Sequence, residues 1–368
     1  VSMFPRYLSH VVVALPARDE AQRIGATLRA LGQQVDGGGR PLSGYTVAVL
    51  ANNCRDKTAQ QARRATPAGL KLRVREVCLP PERAGVVEAR RQAMDWAAVL
   101  AGNDGVLVST DADTCPEPDW LWQLLAPIQA GADAAAGRIL LNPRGIADPI
   151  IHHTQQLDDA YRLAACELTA RLNPDPADPW PNHWQHFGAS LALSVRAYRA
   201  VGGIPDVACL EDVALVQALR RADLTLRHTP HARVHTSARL TGRVPVGLST
   251  QLAEWRCGPD AWTVPGGAEV AALARAEAAL RARYRGICNG DLCALWLTTP
   301  ERLCRALQAP TLGQALEAAH AARLEEGVWM RQYPPVPVAQ ALEGIRALLY
   351  VGARPDAEPV EVQRGSPA

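Results

Sequence analysis

The sequence predicts an α/β protein built around a mostly parallel sheet, and three observations carry that expectation. From Val11 to about Leu140, short apolar runs alternate with longer amphipathic stretches, the pattern of successive βα units. The runs are rich in Val and Leu and are bounded by Pro, Gly, Asn or Asp. The intervals repeat their apolar residues at helical spacing.

Val11–Leu15, Tyr45–Ala51, Leu72–Leu79 and Val106–Thr110 are the expected strands. Glu20–Gln34, Asp56–Ala65, Val86–Ala101 and Asp119–Ala130 are the expected helices, with Asp36-Gly37-Gly38-Gly39 a loop before the second strand. After Ala132–Leu140 a long helix is expected over Pro149–Leu172. An irregular loop rich in Pro, Asp and Trp follows, from Asn173 to His183. Phe187–Leu193 reads as a strand and Ser194–Val201 as a short helix. The turn Gly202-Gly203-Ile204-Pro205, the acidic pair Glu211-Asp212, an amphipathic helix to Ala222 and a strand over Leu224–Thr236 complete this half. Beyond about Val246 the chain turns to Ala-, Arg-, Leu- and Glu-rich helices near Glu269–Tyr284, Thr311–Val328 and Val338–Leu349. The expected organisation is a catalytic domain over 1–245, a helical C-terminal subdomain over 246–353 and a mobile tail over 354–368.

With 48% hydrophobic and 21% charged residues, the 368-residue chain has the composition of a globular protein rather than a disordered or fibrous one. Its 39 basic and 37 acidic residues leave a formal charge of +2 without blocks of like charge, so duplex nucleic acid and anionic membranes are not expected partners. The nine cysteines are odd in number and contain no Cys-x-x-Cys pair, which reads as free thiols in a reducing compartment. No apolar run approaches the ~18–20 residues of a spanning helix, and a cytoplasmic protein is expected.

Asp111-Ala112-Asp113 directly follows an apolar strand, at the carboxyl edge where open α/β sheets bind ligands. The triplet reads either as a polar loop capping the next helix or as two hard oxygen donors for a divalent cation that keeps positions open for phosphate. Glu211-Asp212, at a helix start, reads either as a cap on the helix dipole or as the source of a general base for a hydroxyl nucleophile. His228, His231 and His235 read as structural histidines of the closing strand, or one of them as a further metal ligand. Arg239 and Arg243 follow in a glycine-containing loop and read as solvated cations or as phosphate clamps.

Taken in order, several segments resemble the signature of family 2 glycosyltransferases. These are Pro16-Ala17-Arg18-Asp19-Glu20 with Ile24 and Leu28, Asn52-Asn53-Cys54-Arg55-Asp56-Lys57-Thr58, Gly85 with Ala89-Arg90, and Asp111-Ala112-Asp113. The run Gly188 to Leu193, Val201-Gly202-Gly203 and Glu211-Asp212 are similar to that family's acceptor-side block, so the resemblance covers roughly residues 10–245. It implies a GT-A type αβα layer with a helical C-terminal extension, a nucleotide-diphospho-sugar donor, and Mn²⁺ or Mg²⁺ as cofactor. By the same resemblance Pro16, Ala17, Arg18, Glu20, Asn52 and Asn53 hold the nucleoside. Asp113 is the principal metal ligand, with Asp111 beside it and His235 as an extra candidate. Asp212 is the base, next to Glu211, and attack by an acceptor hydroxyl proceeds with inversion. Arg239 or Arg243 steadies the departing diphosphate, and Arg90 or Arg91 supplies the cation that many relatives provide with a Lys where Val86 stands.

Processive relatives carry a Gln-x-x-Arg-Trp motif and membrane helices. Here only the off-pattern Gln251…Trp255-Arg256 occurs, which implies an enzyme adding one sugar at a time to an unknown hydroxyl acceptor. The loop with Trp180, His183, Trp184 and His186 is expected either to contact that acceptor or to be a packed lid. A homo-oligomer formed through the C-terminal helices is a further expectation. A nucleotidyl transferase would need glycines in the loop after the first strand, which has none, and a dehydrogenase would need Gly-x-Gly-x-x-Gly there. A non-catalytic nucleotide-binding scaffold would keep the fold and dispense with the four carboxylates.

Overall fold

The computed structural model describes residues 8–142, 146, 148–239, 247–287, 290–325 and 327–351. Eight strands form one sheet in the order β3-β2-β1-β4-β7-β6-β8-β5. They are β1 (Val11–Ala17), β2 (Thr46–Asn52), β3 (Lys71–Val77), β4 (Val106–Ser109), β5 (Thr114–Pro116), β6 (Ala134–Leu141), β7 (Leu191–Ser194) and β8 (Leu226–Thr236). Strand β1 pairs in parallel with both β2 and β4, β2 with β3, and β6 with β8. Only β7, between β4 and β6, and the short edge strand β5 run antiparallel to their neighbours.

Because successive residues of a strand face opposite sides, each strand feeds two cores. Val11, Val13, Leu15, Val47 and Val49 pack against α1 (Ile24–Gly32) and α4 (Trp120–Gln129). Val12, Ala14, Ala48, Leu50 and Leu107 pack against α3 (Val86–Ala101) on the other face. Two further helices, α6 (Val195–Ala200) and α7 (Glu211–Arg221), complete that second layer. Between β2 and β3 lies α2 (Thr58–Ala65). The expected α/β layering is therefore present, and the sheet order reverses at β1–β4, which opens a crevice at their carboxyl ends.

Four departures from the expected elements have local causes. Helix α1 starts at Ile24 rather than Glu20, because Asp19 takes a left-handed conformation and the Glu20 N–H is drawn to Thr58 Oγ1. The strand expected from Phe187 begins only at Leu191, since Phe187 to Ser190 form a turn closed by Ser190 N–H on Phe187 O. Strand β5 has three residues, too few to show a period in sequence. Strand β8 tolerates Pro230 because the register with β6 jumps there, from Gly137↔Thr229 to Arg138↔Arg233. At that bulge a Cβ on residue 137 would lie 2.4 Å from both Ala232 O and Ser190 Oγ, so only glycine fits.

The long helix α5 (Pro149–Leu172) starts with Asp148 capping the Ile150 N–H. Beyond residue 247 the chain forms α8 (Leu248–Trp255), α9 (Gly267–Tyr284), α10 (Leu292–Trp296), α11 (Pro300–Leu307), α12 (Leu312–Glu325), α13 (Val328–Gln332) and α14 (Val338–Val351). Three of these were expected, and the helix expected over Thr311–Val328 is broken at Gly327, where the φ angle is 66°. Tyr161 and Leu168 of α5 share an apolar cluster with Ala271 of α9 and Val338, Leu342 and Ile345 of α14. Helix α12 docks on the far end of α7: Asp223 accepts from the Leu312 and Gly313 N–H groups, Thr311 Oγ1 donates to Arg221 O, and Arg221 pairs with Glu317. The expected boundary near residue 245 and the expected tail fall outside the described residues. No helix among the described residues is long and apolar enough to cross a membrane.

Candidate active site

The carboxyl end of β4, the turn at Gly188 and the start of α7 meet around one buried side chain. Arg90, on α3 and 6% exposed, makes four hydrogen bonds. Its Nε donates to Glu211 Oε1 at 2.8 Å and its Nη2 to Asp111 Oδ1 at 2.8 Å. Its Nη1 reaches Ser109 Oγ at 2.9 Å and Gly188 O at 3.2 Å. Burial alone would weaken its hold on the proton, yet the charges of Asp111, Glu211 and Asp212 reverse that effect and bind it more firmly. Arg90 therefore ties the Asp-x-Asp loop to the acidic pair 100 residues later and has no slack for an incoming phosphate. Arg91 is directed instead to Glu88, Asp206 and the carbonyls of Ile204 and Pro205.

Asp212 is placed differently from Glu211. Its Oδ2 accepts the Gly188 N–H at 2.7 Å and its Oδ1 the Val213 N–H at 2.8 Å, while the chain enters α7 through Leu210 in a left-handed conformation. Burial raises the Asp212 carboxyl pKa and the Glu211 charge adds to it, against the lowering effects of Arg90 and the two peptide N–H groups. The result is a carboxylate more basic than usual. Gly188 is wedged against Arg90, so that a Cβ there would lie 2.4 Å from Arg90 Cζ.

Asp113 points away from this clasp. Its Oδ2 accepts from Ser237 Oγ at 2.6 Å and from Arg239 Nη2 at 2.6 Å, and the same Arg239 nitrogen is 3.0 Å from Glu20 Oε1. Asp111 and Asp113 thus each present hard carboxylate oxygens beside a basic partner, a donor set that suits a divalent cation of the Mn²⁺ or Mg²⁺ kind. His235 is engaged by another carboxylate: its Nε2 is 3.0 Å from Glu117 Oε1, on the strand pair Cys115↔His235. His228 is likewise engaged, by Asp178. Arg243 lies outside the described residues.

The remaining nucleoside-side residues divide by what already holds them. Pro16 and Ala17 are in register with Leu50 and Ala51 at the end of β1, Arg18 Nη1 donates to Ala84 O at 2.7 Å, and Asn52 is buried at the end of β2. Asn53, in a left-handed conformation, closes its amide on the Leu79 peptide in both directions, at 2.8 and 3.0 Å, so its side chain is structural here. Asp19, Cys54 and Asp56 gather their ligand atoms within 4.8 Å of one another, and the two carboxylates are used on the N–H groups of Arg55, Ala21 and Thr58. Asp19, Asn53 and Leu210 are three of the five non-glycine residues with positive φ among the described residues, so the unusual backbone conformations gather on the loops around the site.

A cavity of about 760 Å³ is lined by Arg90, Asp111, Glu211 and Asp212. Beside Trp184, sequence reasoning missed most of its other wall: Asp158, Asp159 and Arg162 of α5, and Trp255 and Trp262. Asp158 accepts the Trp262 indole N–H at 2.9 Å and pairs with Arg162 at 2.7 Å. The signals in sequence were Trp184 in the aromatic loop and the off-pattern Gln251…Trp255, all of which line the cavity.

The loop 173–190 is tied to β8. His228 Nδ1 is 2.7 Å from Asp178 Oδ2 and its Nε2 is 3.4 Å from His186 Nδ1, while His183 Nε2 meets Thr229 O at 3.2 Å. Burial, with the neighbouring charge of His228, lowers His183 to a pKa of about 3, and burial with the charge of Arg220 lowers His186 to about 3. Both rings are neutral packing elements at ordinary pH. Trp184 alone of the four expected loop residues lines the cavity.

Residues 12–169 match the family model described as Glycosyl transferase family 2. No curated protein matches the chain. Among solved structures, the chain is similar to mannosyltransferase PcManGT from Pyrobaculum calidifontis in complex with GDP-Man and Mn²⁺, with 20% identity over 94% of this chain and 79% of that one and a TM-score of 0.43. It is also similar to TarS 1-349 of S. aureus, with 13% identity over 85% and 91% and a TM-score of 0.42. A third is glucosyl-3-phosphoglycerate synthase of Mycobacterium tuberculosis in complex with Mn²⁺, UDP-Glc and glycerol 3-phosphate, with 20% identity over 67% and 76% and a TM-score of 0.38.

Proposed function

Residues 12–169 match the family model of glycosyl transferase family 2, and from that premise we propose that this enzyme moves a single sugar from a nucleotide-diphospho-sugar to an acceptor hydroxyl, with inversion. The observation that carries the reading is the Arg90 clasp, which brings Asp111 after β4 and the carboxylates opening α7 into the wall of one cavity. Asp212 is the proposed base. It is more basic than a free aspartate, it is oriented by two peptide N–H groups, and it lines the cavity in which a hydroxyl would bind. Glu211, with one oxygen on Arg90, is a positioning residue.

Asp111 and Asp113 are the residues that would hold Mn²⁺ or Mg²⁺, whose charge would favour departure of the diphosphate. Pro16, Ala17, Arg18, Glu20 and Asn52 border the proposed nucleoside site at the switch between β1, β2 and β4. Arg239, held on Asp113 and Glu20, is the proposed partner of the leaving diphosphate, a role for which a guanidinium fork is suited. Arg90 is assigned to the clasp and not to phosphate.

The test is a thermal-shift panel of UDP-, GDP-, CDP- and TDP-sugars with and without Mn²⁺, since a ligand binding only the native state raises the melting temperature. A Mn²⁺-dependent rise with one nucleotide supports the transferase reading and names the base. The absence of any rise across the panel overturns it.

A further inference from the structure

We infer that the acceptor is a neutral carbohydrate rather than a phosphorylated or carboxylated one, an inference that rests on the transferase reading of the same cavity. Among the described residues its lining contains nine carboxylates and three guanidiniums. Each of those guanidiniums is already paired with a lining carboxylate: Arg83 with Glu88 at 2.8 Å, Arg162 with Asp158 at 2.7 Å, and Arg90 with Asp111 and Glu211. Among the described residues, then, the cavity has no surplus cation to meet an anionic acceptor, and its excess of carboxylates repels one.

The same wall carries what a sugar needs. Trp184 and Trp262 supply partly exposed aromatic surface, on which the C–H faces of a pyranose can stack. Trp184 is held by Arg138, whose guanidinium carbon is 4.7 Å from the ring centre, and by Arg162 at 5.7 Å, so the ring is set before any ligand arrives. Gln155, Asp159, Gln251 and Glu254 offer acceptors and donors for hydroxyl groups. Trp255 is 5% exposed, and among the described residues its indole N–H has no hydrogen-bond partner. A buried donor left unmet in a ligand cavity calls for an oxygen, and a sugar hydroxyl or ring oxygen supplies one without bringing charge.

Intrinsic tryptophan fluorescence tests this directly. The probes are the methyl α- and β-glycosides of glucose, galactose, mannose and N-acetylglucosamine, against glycerol 3-phosphate and 3-phosphoglycerate. Titrations are run with Mn²⁺ and the nucleoside diphosphate giving the largest thermal shift, and again without either. A saturable change with at least one glycoside and none with the two phosphates is expected. Trp184→Ala is expected to weaken it at least tenfold and Trp184→Phe to restore most of it. Should Trp184→Ala not fold, Gln251→Ala is expected to weaken the same titration at least threefold. A phosphate that saturates in preference to every glycoside, or a panel in which no glycoside saturates, overturns the inference. The nucleotide-sugar thermal shift is read separately: a positive shift with no glycoside response defeats the acceptor class alone, and glycoside binding with no nucleotide shift defeats the transferase reading instead.

Discussion

The two acidic pairs of the site are treated alike by the fold in one respect and oppositely in another. In each, the first carboxylate is bound by Arg90: Asp111 from the loop after β4, and Glu211 from the start of α7. In each, the second carboxylate escapes it. Asp113 turns to a hydroxyl and a half-exposed guanidinium, whereas Asp212 turns to two peptide N–H groups that fix its direction. A basic side chain that can be displaced suits a group that must exchange partners with a metal and a phosphate, and rigid peptide donors suit a group that must only accept a proton. A doublet of acids is thus one anchor and one working group.

Removing the shared anchor should have the largest effect. Arg90→Met leaves Glu211 buried without its cation, and breaking such a pair costs about 3–5 kcal/mol, to be read as a fall in the denaturant midpoint. Gly188→Ala should move the same midpoint in the same direction, because its Cβ meets the guanidinium. Equal stability of Arg90→Met and the native protein would break the comparison at its root.

Next in size is Asp212→Asn, for which turnover should fall by roughly 10²–10⁴-fold while nucleotide-sugar binding is retained, as expected for loss of a general base. A loss of binding with kcat unchanged would make Asp212 a substrate ligand instead. Asp113→Ala should then abolish the Mn²⁺-dependent part of the thermal shift, and Asp111→Asn, whose carboxylate is shared with Arg90, should reduce it less. The reverse order would exchange anchor and working group in the first pair.

The smallest effects are those of pH. Because the Asp212 pKa is raised, the base is protonated at a higher pH than a free aspartate, and the acid limb of kcat should be shifted upward from that of an ordinary aspartate. For His183 and His186 the folded pKa of about 3 lies below the ordinary 6.5, so the unfolded chain takes up protons that the native chain does not. Stability should therefore fall as pH drops from about 6.5 towards 3, by about 1 kcal/mol per pH unit for each histidine. A denaturation series in which His183→Gln leaves that slope unchanged would remove His183 from the account.

Much of this was legible in the sequence where local pattern and tertiary role coincide. The Val- and Leu-rich runs became β1, β2 and β4 within one or two residues, because strands buried on both faces leave little freedom in their composition. Asp111, Asp113 and Asp212 could be singled out because strand ends and helix starts are recognisable from sequence. What could not be read was partnership across long separations. Arg90 presents itself as one cation of a helix, and nothing in residues 86–101 says that Glu211 and Gly188 will close on it. His235 carries a residue type suited to metal, yet register places it opposite Cys115 and beside Glu117. Asn53 has the chemistry to accept a bond from a base, and its left-handed backbone turns that chemistry onto Leu79. The wall formed by α5, Trp184 and residues 247–262 is assembled from distant segments and leaves no contiguous motif.

Helix α7 is gripped at both ends, by Arg90 and Gly188 where it begins and by α12 where it stops. Its eleven residues make a stiff strut of roughly 16 Å at about 1.5 Å per residue. The approach of α12 is so close that a Cβ on residue 313 would collide with the Arg220 carbonyl. The C-terminal helices are therefore built as an abutment: residues 311–317 brace the end of the strut opposite the one that carries Glu211 and Asp212.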